Sequence, residues 1–305
     1  MSMAKVLCIG QAVQDFVFSV DAMPTTADKY RASGFETLGG GPAATAAVAI
    51  ARLGGSARLA ARVGDDMLAN LIAAELESYG VDCTLLRRMG GRHSSVSAVL
   101  VDSAGERLIV NYLDSSMDND PTWLDAYAPL DVAAILTDTR WPEGALLGLN
   151  LARRNGLPAI LDGDSPVPKD GELVRAATHV AFSARGLSEF AGIEDAEQAL
   201  LSIDAQTEAW CCVTLGAEGT LVVEDGQLGR LPAFDVSVRD TLGAGDVWHG
   251  AFALALAERK PTSDAVIFAS AAAALKVQNG GGRAGCATRE EVEDFLQQHV
   301  TENRS

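Results

Sequence analysis

Basic charge, long apolar runs and paired cysteines are scarce or absent in this sequence. Of its 305 residues, 24 are Lys or Arg and 41 are Asp or Glu, so the net charge is −17. A surface this acidic repels nucleic-acid phosphates and anionic lipid headgroups. No run of about 18 apolar residues predicts a membrane helix, and the N-terminus lacks the apolar stretch of a signal peptide. We therefore expect a cytoplasmic protein with no nucleic-acid or membrane partner.

The five cysteines indicate neither a disulfide framework nor a metal site. They show no Cys-x-x-Cys spacing and their number is odd. Cys211 and Cys212 are adjacent, so on a strand their side chains point to opposite faces and cannot pair. We interpret the five as free and mostly buried thiols: Cys8, Cys83, Cys211, Cys212 and Cys286.

Short apolar runs alternate with helical patterns along most of the chain. This order is typical of an α/β fold in which a mostly parallel sheet has helices on both faces. The predicted strands are Val6–Ile9, Arg58–Val63, Val132–Thr137, Ala159–Leu161, His179–Phe182, Cys211–Leu215, Thr220–Val223 and Gly229–Pro232. The predicted helices are Thr45–Leu53, Asp66–Tyr79, Glu143–Asn155, Gly243–Glu258, Thr262–Gln278 and Arg289–Val300.

Two stretches, 15–38 and 94–112, show the period-2 alternation of half-exposed antiparallel strands instead. Ser103-Ala104-Gly105 predicts a hairpin turn within the second stretch. We expect the two stretches to form a small β-sheet lid inserted into the large α/β domain. The large domain then comprises residues 1–14, 39–93 and 113–305.

The segment from Asp240 to Asp246, Asp-Thr-Leu-Gly-Ala-Gly-Asp, precedes a helical pattern and is the most informative part of the sequence. Glycines at a helix start leave backbone N–H groups free to bind a phosphate, and the helix dipole favours the anion. Asp246 beside this loop could take a proton from a hydroxyl that attacks a phosphoryl group. It could equally be only a first-turn acid with glycines nearby for packing.

The sequence DTLGAGDVWHGAF, which begins at Asp240, resembles the C-terminal signature of the PfkB/ribokinase family of carbohydrate kinases. GGGPAATAAVAIARLG at 39–54 resembles the other signature of the family, and RVGDD at 62–66, Gly-Val-Asp at 80–82 and VTLGAEG at 213–219 also match. The resemblance covers the whole chain in order. It implies an ATP-dependent phosphotransferase with Mg²⁺, a large α/β domain and a small β lid.

The resemblance also implies roles for individual residues. Asp246 matches the catalytic base, and Gly243, Ala244 and Gly245 match the anion hole for the γ-phosphate. Nucleotide-contacting positions correspond to Thr214, Gly216, Gly219, Thr241, Gly243 and Gly245. Sugar-binding positions correspond to Asp15, Gly40, Gly41, Thr45 and Asp246.

The chain departs from the family pattern at two places. Thr45 stands where the family usually has an Asn that binds the sugar. The Asn-x-x-Glu motif, which helps to organise Mg²⁺ and phosphate, should fall at Ser183 and Gly186, and neither residue is a ligand of that type. We therefore assign no metal ligand in the protein and expect Mg²⁺ to be held by the nucleotide, waters and other acids.

Several segments resemble the subfamily of sulfofructose kinases, which phosphorylate 6-deoxy-6-sulfofructose at its 1-hydroxyl. These are GGGPAATAAVA, VNY at 110–112, TRW at 139–141, LDGD at 161–164 and GGRAG at 281–285. In that subfamily a Lys, an Asn and an Arg hold the sulfonate, and they correspond to Lys29, Asn111 and Arg140. Lys29 falls in a predicted lid strand, and Arg140 follows a core strand at its carboxyl end, where α/β sheets bind ligands. Alternatively, the two cations are solvated or paired with surface acids.

Other functions remain open at this point. The substrate could be another sugar (fructose, ribose, a deoxygluconate-like sugar or a phosphosugar) or a nucleoside, and a non-catalytic sugar or nucleotide sensor is a further alternative. A dinucleotide-dependent oxidoreductase is disfavoured because the early Gly-rich segment, Gly39–Gly41, follows an alternating lid strand and does not begin a Gly-x-Gly-x-x-Gly motif. We interpret His249 as a packed or partly exposed side chain, and a homodimer through the lid is a hypothesis based on its exposed strand edges.

Overall fold

The computed structural model describes residues 3–127 and 131–302, which form two β-sheets and the helices that cover the larger one. The strands are β1 (Lys5–Gly10), β2 (Val13–Ser19), β3 (Gly34–Gly40), β4 (Ser56–Gly64), β5 (Asp82–Met89), β6 (Val96–Val101), β7 (Arg107–Tyr112), β8 (Ala134–Thr137), β9 (Ala159–Gly163), β10 (His179–Ser183), β11 (Trp210–Thr214), β12 (Thr220–Glu224) and β13 (Gln227–Leu231). The α-helices are α1 (Pro42–Arg52), α2 (Met67–Ser78), α3 (Pro142–Arg154), α4 (Glu172–Ala176), α5 (Ala184–Ala191), α6 (Ala196–Asp204), α7 (Ala244–Ala257), α8 (Thr262–Asn279) and α9 (Arg289–Glu302).

The large sheet has nine strands in the order β13-β12-β11-β10-β9-β8-β1-β4-β5. Its strands pair in parallel from β5 to β11, and β12 and β13 are antiparallel additions at one edge. Successive residues of β1 face opposite sides: Val6 and Cys8 join one buried apolar cluster, and Leu7 and Ile9 join the other. The predicted α/β fold with helices on both faces is confirmed.

The bounds of every helix and strand predicted for the large domain lie within three residues of the bounds of an observed element. The elements that the apolar pattern did not reveal are β5 and the short helices α4, α5 and α6. Strand β5 lies at the sheet edge and exposes two of its charged residues, Arg87 and Arg88, so it lacks the continuous apolar run of a central strand.

The second sheet has four strands in the order β3-β2-β6-β7. Strand β2 pairs antiparallel with β3 and parallel with β6, and β6 and β7 form the predicted hairpin, in which Gly105 has a φ of 82°. This smaller sheet is the predicted lid sheet. The division of the chain into two domains at the stated residues remains our proposal.

Lys29 does not lie in a lid strand, and that prediction was wrong. It is an exposed residue in the loop between β2 and β3. The hydroxyl of Tyr30 accepts hydrogen bonds from the backbone N–H groups of Thr25 and Thr26, both at 3.2 Å. These bonds close a local turn, so the backbone here bonds within the loop and joins no sheet ladder.

The cysteines and the apolar helices were also considered in the sequence analysis. All five cysteines are free, and four of them are buried. In the described part of the chain, no helix is both long and apolar enough to cross a membrane.

Candidate active site

The N-termini of helices α1 and α7 meet above the carboxyl ends of the central strands. The two helices approach closely because Gly250 of α7 lies on the backbone of α1: a Cβ atom added to Gly250 would be 2.5 Å from the Ala46 carbonyl oxygen. Residues Ala43–Ile50 of α1 are buried, since this alanine-rich helix lies between the sheet and α7. Small residues at this crossing therefore bring two helix N-termini to one place.

Asp138 organises the start of α1. Its carboxylate follows β8 and accepts hydrogen bonds from the N–H groups of Gln11 at 2.8 Å, Ala43 at 3.1 Å and Arg140 at 2.8 Å. Burial raises the pKa of Asp138 to about 6, although these hydrogen bonds act in the opposite direction. The side chain thus joins β1, α1 and the segment after β8 at the floor of the cleft.

The glycine loop before α7 has the geometry expected of an anion site. Gly243 caps the helix in the left-handed conformation, with a φ of 75°. The N–H of Ala244 donates to the Thr241 carbonyl oxygen at 3.2 Å, whereas no hydrogen bond in the described part of the chain occupies the N–H groups of Gly243 and Gly245. Two of the three predicted amides are therefore free to bind an anion at a helix N-terminus.

Asp246 lies in the first turn of α7, beside this loop. A Cβ atom added to Gly243 would be 3.8 Å from Asp246 Oδ2 and 3.5 Å from the Thr45 methyl group, so the loop, the acid and α1 adjoin one another. Burial, and next the charge of Asp162, raise the pKa of Asp246 to about 7. A carboxylate with this pKa can accept a proton near neutral pH.

Asp240 fixes the other end of the loop. Its Oδ1 accepts hydrogen bonds from the Leu242 N–H at 2.9 Å and from Arg107 of the lid strand β7 at 2.5 Å. Its Oδ2 is 3.4 Å from the ammonium group of Lys276, which is fully buried. One carboxylate therefore connects the glycine loop, the lid and α8.

The lid presents a row of polar side chains on one face. Asp15, Ser97 and Asn111 occupy paired positions on β2, β6 and β7, so their side chains share that face. The Asn111 amide donates to Ser97 Oγ at 3.0 Å. Burial raises the pKa of Asp15, and a Cβ atom added to Gly40 would be 2.4 Å from the Asp15 carboxylate. Gly40 therefore leaves space that Asp15 uses.

Thr45 is buried and its hydroxyl oxygen accepts a hydrogen bond from Arg283 Nε at 3.3 Å. Arg283 also donates to the Gly40 carbonyl oxygen at 2.6 Å and to Glu75 at 2.7 Å, and it is itself buried. This arginine of the C-terminal Gly-rich turn thus holds the base of the lid strand β3 against α1 and α2.

A cavity of about 200 Å³ lies at the carboxyl ends of β1 and β8. Arg140 lines it, as does Arg62, which sequence reasoning missed although it opens the RVGDD motif. Arg140 forms an ion pair with Asp164 at 2.8 Å, and Arg62 lies over the Trp141 ring, 4.6 Å from its centroid. Neither Lys29 nor Asn111 is among the residues that line this cavity: Gly10, Gln11, Arg62, Ser95, Leu113, Asp114, Ser115, Met117, Asn119, Arg140 and Trp141.

The predicted nucleotide positions lie at the ends of β11 and of the glycine loop. Thr214 ends β11 and donates to the Phe182 carbonyl oxygen at 3.3 Å. Gly216 has a φ of 59° and open space at its Cα, and Thr241 is exposed. Gly219 also has a role in the fold, since a Cβ atom there would be 2.1 Å from the Leu231 carbonyl oxygen.

The positions of the missing Asn-x-x-Glu motif have structural roles. Ser183 is the N-cap of α5, and its hydroxyl accepts a hydrogen bond from the Gly186 N–H at 2.9 Å. A Cβ atom added to Gly186 would be 2.0 Å from the Gly163 carbonyl oxygen. With this backbone, residue 186 has no room for a glutamate.

His249 is far more buried and more polar in its contacts than the sequence suggested. Its Nδ1 is 2.7 Å from the Gly245 carbonyl oxygen, and its Nε2 is 3.0 Å from the Ala181 carbonyl oxygen and 3.4 Å from Asp162 Oδ1. The i, i+3 spacing from Asp246 was the available signal. Asp162 stands in the LDGD segment, but neither its role nor that of Asp138 followed from any motif.

Comparison with known proteins agrees with this geometry. The model of the pfkB family carbohydrate kinases matches residues 3–289. The ribokinase of Bacillus subtilis is 29% identical over 297 residues, which cover 96% of this chain and 100% of that protein. The structure of a ribokinase candidate from Agrobacterium tumefaciens is 36% identical, with a TM-score of 0.90 and coverage of 98% of this chain and 99% of the other. Arabidopsis thaliana ribokinase, complexed with ribose and ATP, is 25% identical, with a TM-score of 0.83 and coverage of 97% and 99%.

This chain belongs to the PfkB family of carbohydrate kinases. It is a ribokinase-like phosphotransferase that uses ATP with Mg²⁺ and an alcohol group as acceptor. The predicted family, fold and enzyme class are therefore confirmed.

Proposed function

We propose that the kinase phosphorylates a primary hydroxyl of a ketose, with Asp246 as the base. The hydroxyl proton passes to the Asp246 carboxylate while the hydroxyl oxygen forms a bond to the γ-phosphorus of ATP. The bond from that phosphorus to the β–γ bridging oxygen breaks, and ADP leaves. The N–H groups of Gly243 and Gly245 and the α7 dipole would stabilise the charge on the transferring group.

Mg²⁺ fits this site as an ion that the nucleotide phosphates and waters coordinate, rather than one held mainly by protein side chains. Among residues 3–127 and 131–302, no group of three or more His, Cys, Asp or Glu side chains is arranged to hold a metal. Mg²⁺ commonly keeps several waters and binds phosphates with few protein ligands. When bound with ATP it would neutralise phosphate charge.

The substrate we favour carries an anionic group, as 6-deoxy-6-sulfofructose does, and receives phosphate at its 1-hydroxyl. The observation that carries this proposal is the cavity with two guanidinium groups, Arg62 and Arg140, in a protein of net charge −17. Each arginine keeps N–H donors beyond those used by its present partners. The lid residues Lys29 and Asn111 would have to move toward the cavity to contribute.

Release of ADP with a panel of sugars tests the function. The panel contains sulfofructose, fructose, fructose 6-phosphate and ribose at matched concentrations. We expect the highest kcat/KM with sulfofructose. A preference for neutral fructose would overturn the anionic substrate, and no ADP release with any sugar would favour a sensor on this fold.

Ribose is the second candidate substrate. The curated relatives include ribokinases, and the Arabidopsis structure contains ribose and ATP. A ribose preference in the same panel would identify the chain as a ribokinase in activity, and Arg140 would then be a structural ion-pair partner of Asp164.

A homodimer through the lid is part of this proposal, as is a cytoplasmic location. The face of the lid opposite to Asp15 is apolar and exposed: Phe35 is 58% and Val110 is 61% exposed, and the Phe18 and Phe35 rings lie 5.1 Å apart. Exposed apolar faces of this kind are typical of interaction sites. A second copy of this chain would cover the two apolar faces with each other.

A further inference from the structure

His249 lies in the second turn of α7, one turn after Asp246, and its imidazole is buried. Both ring nitrogens face carbonyl oxygens, Gly245 O at 2.7 Å and Ala181 O at 3.0 Å. Carbonyl oxygens only accept hydrogen bonds, whereas a neutral imidazole has one nitrogen without a proton. A neutral ring would therefore place a lone pair against an oxygen, and the geometry requires protons on both nitrogens.

The surroundings of the ring can carry this positive charge. Asp162 Oδ1 is 3.4 Å from His249 Nε2, so a buried carboxylate pairs with the imidazolium. The charge of Asp162 and the two carbonyl contacts raise the pKa of His249 above its ordinary value, against the effect of burial. The histidine is thus a fixed cation within the core of an acidic protein.

We propose that His249 is a protonated positioning residue for phosphoryl transfer, which holds the first turn of α7 and favours the ionised form of the Asp246 carboxylate. The bond to the Gly245 carbonyl fixes the peptide between Gly245 and Asp246, which adjoins the peptide that carries the free Gly245 N–H. The bonds to Ala181 of β10 and Asp162 of β9 tie that turn to two central strands. The inference rests on the proposal that Asp246 is the base.

Asp246 needs such a cation because carboxylates surround it. Burial and the charges of Asp162, Asp164 and Asp138 raise its pKa, and His249 lowers it. The charge of Asp246 also acts on the Cys286 thiol. Burial raises the pKa of Cys286 to about 11, so this thiol stays neutral. The charges with the largest effects on Asp246 are those of Asp162, His249, Asp164 and Asp138, and the neutral Cys286 thiol adds none.

The test is the pH profile of kcat/KM for the full-length enzyme with ATP and its best sugar. In His249→Gln the acidic limb should move up by about one pH unit or more, because a neighbouring positive charge is lost. Well below both limbs, the variant should be about tenfold slower than wild type, and it should recover most activity at higher pH. A uniform loss at every pH, or an unmoved limb, would overturn the proposal.

His179 offers a matched control. It is a partly buried histidine, 5.9 Å from the Phe252 ring of α7, but burial lowers its pKa to about 4, so it is neutral. His179→Gln should leave the acidic limb in place.

If His249→Gln does not fold, NMR of isotope-labelled histidines in the wild-type protein tests the protonation state of His249 directly. An imidazolium at pH 7.5 is expected, and a neutral tautomer would overturn the proposal. Neither NMR result depends on Asp246 being the base, which Asp246→Asn tests separately.

Discussion

Asp246 is ionised only at an energetic cost, because burial and neighbouring acids favour its protonated form. Its pKa near 7 means that the base is half protonated at neutral pH. The folded state therefore binds a proton more tightly than the unfolded chain between about pH 4 and pH 7. Over that window this group makes the protein less stable as pH rises.

Asp246→Asn should separate activity from stability. We expect turnover to fall by roughly a hundredfold or more, because the amide cannot accept the hydroxyl proton. ATP binding by calorimetry should remain largely intact. The melting temperature should equal or exceed that of wild type at pH 8, since the unfavourable charge is gone.

Asp264→Asn is the control for this experiment, because Asp264 is also a first-turn helix acid but is exposed. It should change neither turnover nor the melting temperature measurably. Near-normal turnover in Asp246→Asn would exclude this residue as the base.

Arg140→Glu should raise KM for an anionic sugar tenfold or more, with a much smaller effect on kcat, if the contact is the same in the ground and transition states. KM for a neutral sugar should change less, since no sulfonate contact is lost. Arg58→Glu is the matched control. Arg58 pairs with Asp82 near the amino end of β4, whereas the cavity lies at the carboxyl end of that strand. Equal changes for anionic and neutral sugars would argue against an anion site at Arg140.

At the scale of the element, α5 shows why a family motif can be absent for a structural reason. Gly186→Ala would place a Cβ atom 2.0 Å from the Gly163 carbonyl oxygen. Overpacking of this kind costs about 1–3 kcal/mol, so the melting temperature should fall by several degrees, whereas Arg185→Ala on the exposed side should leave it nearly unchanged. An unchanged melting temperature in Gly186→Ala would show that α5 shifts freely away from β9.

The sequence was sufficient to predict the long elements, because apolar runs and helix stops are local signals. It also placed Asp246 and the glycine loop on one helix start. It could not predict the position of Lys29, since the hydrogen bonds of Tyr30 that shape that loop have no periodicity. Nor could it reveal Arg62 beside Arg140, or His249 beside Asp162, because each pair comes from different strands or helices that only the sheet order brings together.

At the scale of the whole molecule, the exposed face of the lid predicts self-association. Val110→Lys should convert a dimer to a monomer in sedimentation at micromolar concentration, because the new charges would be buried against each other. Val238→Lys is the control, since Val238 is at least as exposed as Val110 but lies in a loop outside the lid. A wild-type monomer under the same conditions would exclude the dimer.

The crossing of α1 and α7 has a consequence for the order in which the protein is made. Helix α1 leaves the ribosome about 200 residues before α7, yet its buried face is covered by α7. During that interval the face of α1 that packs against α7 in the folded protein is uncovered. The nascent chain therefore carries an uncovered alanine-rich surface until the last fifth of the protein is synthesised, and the cleft is completed only then.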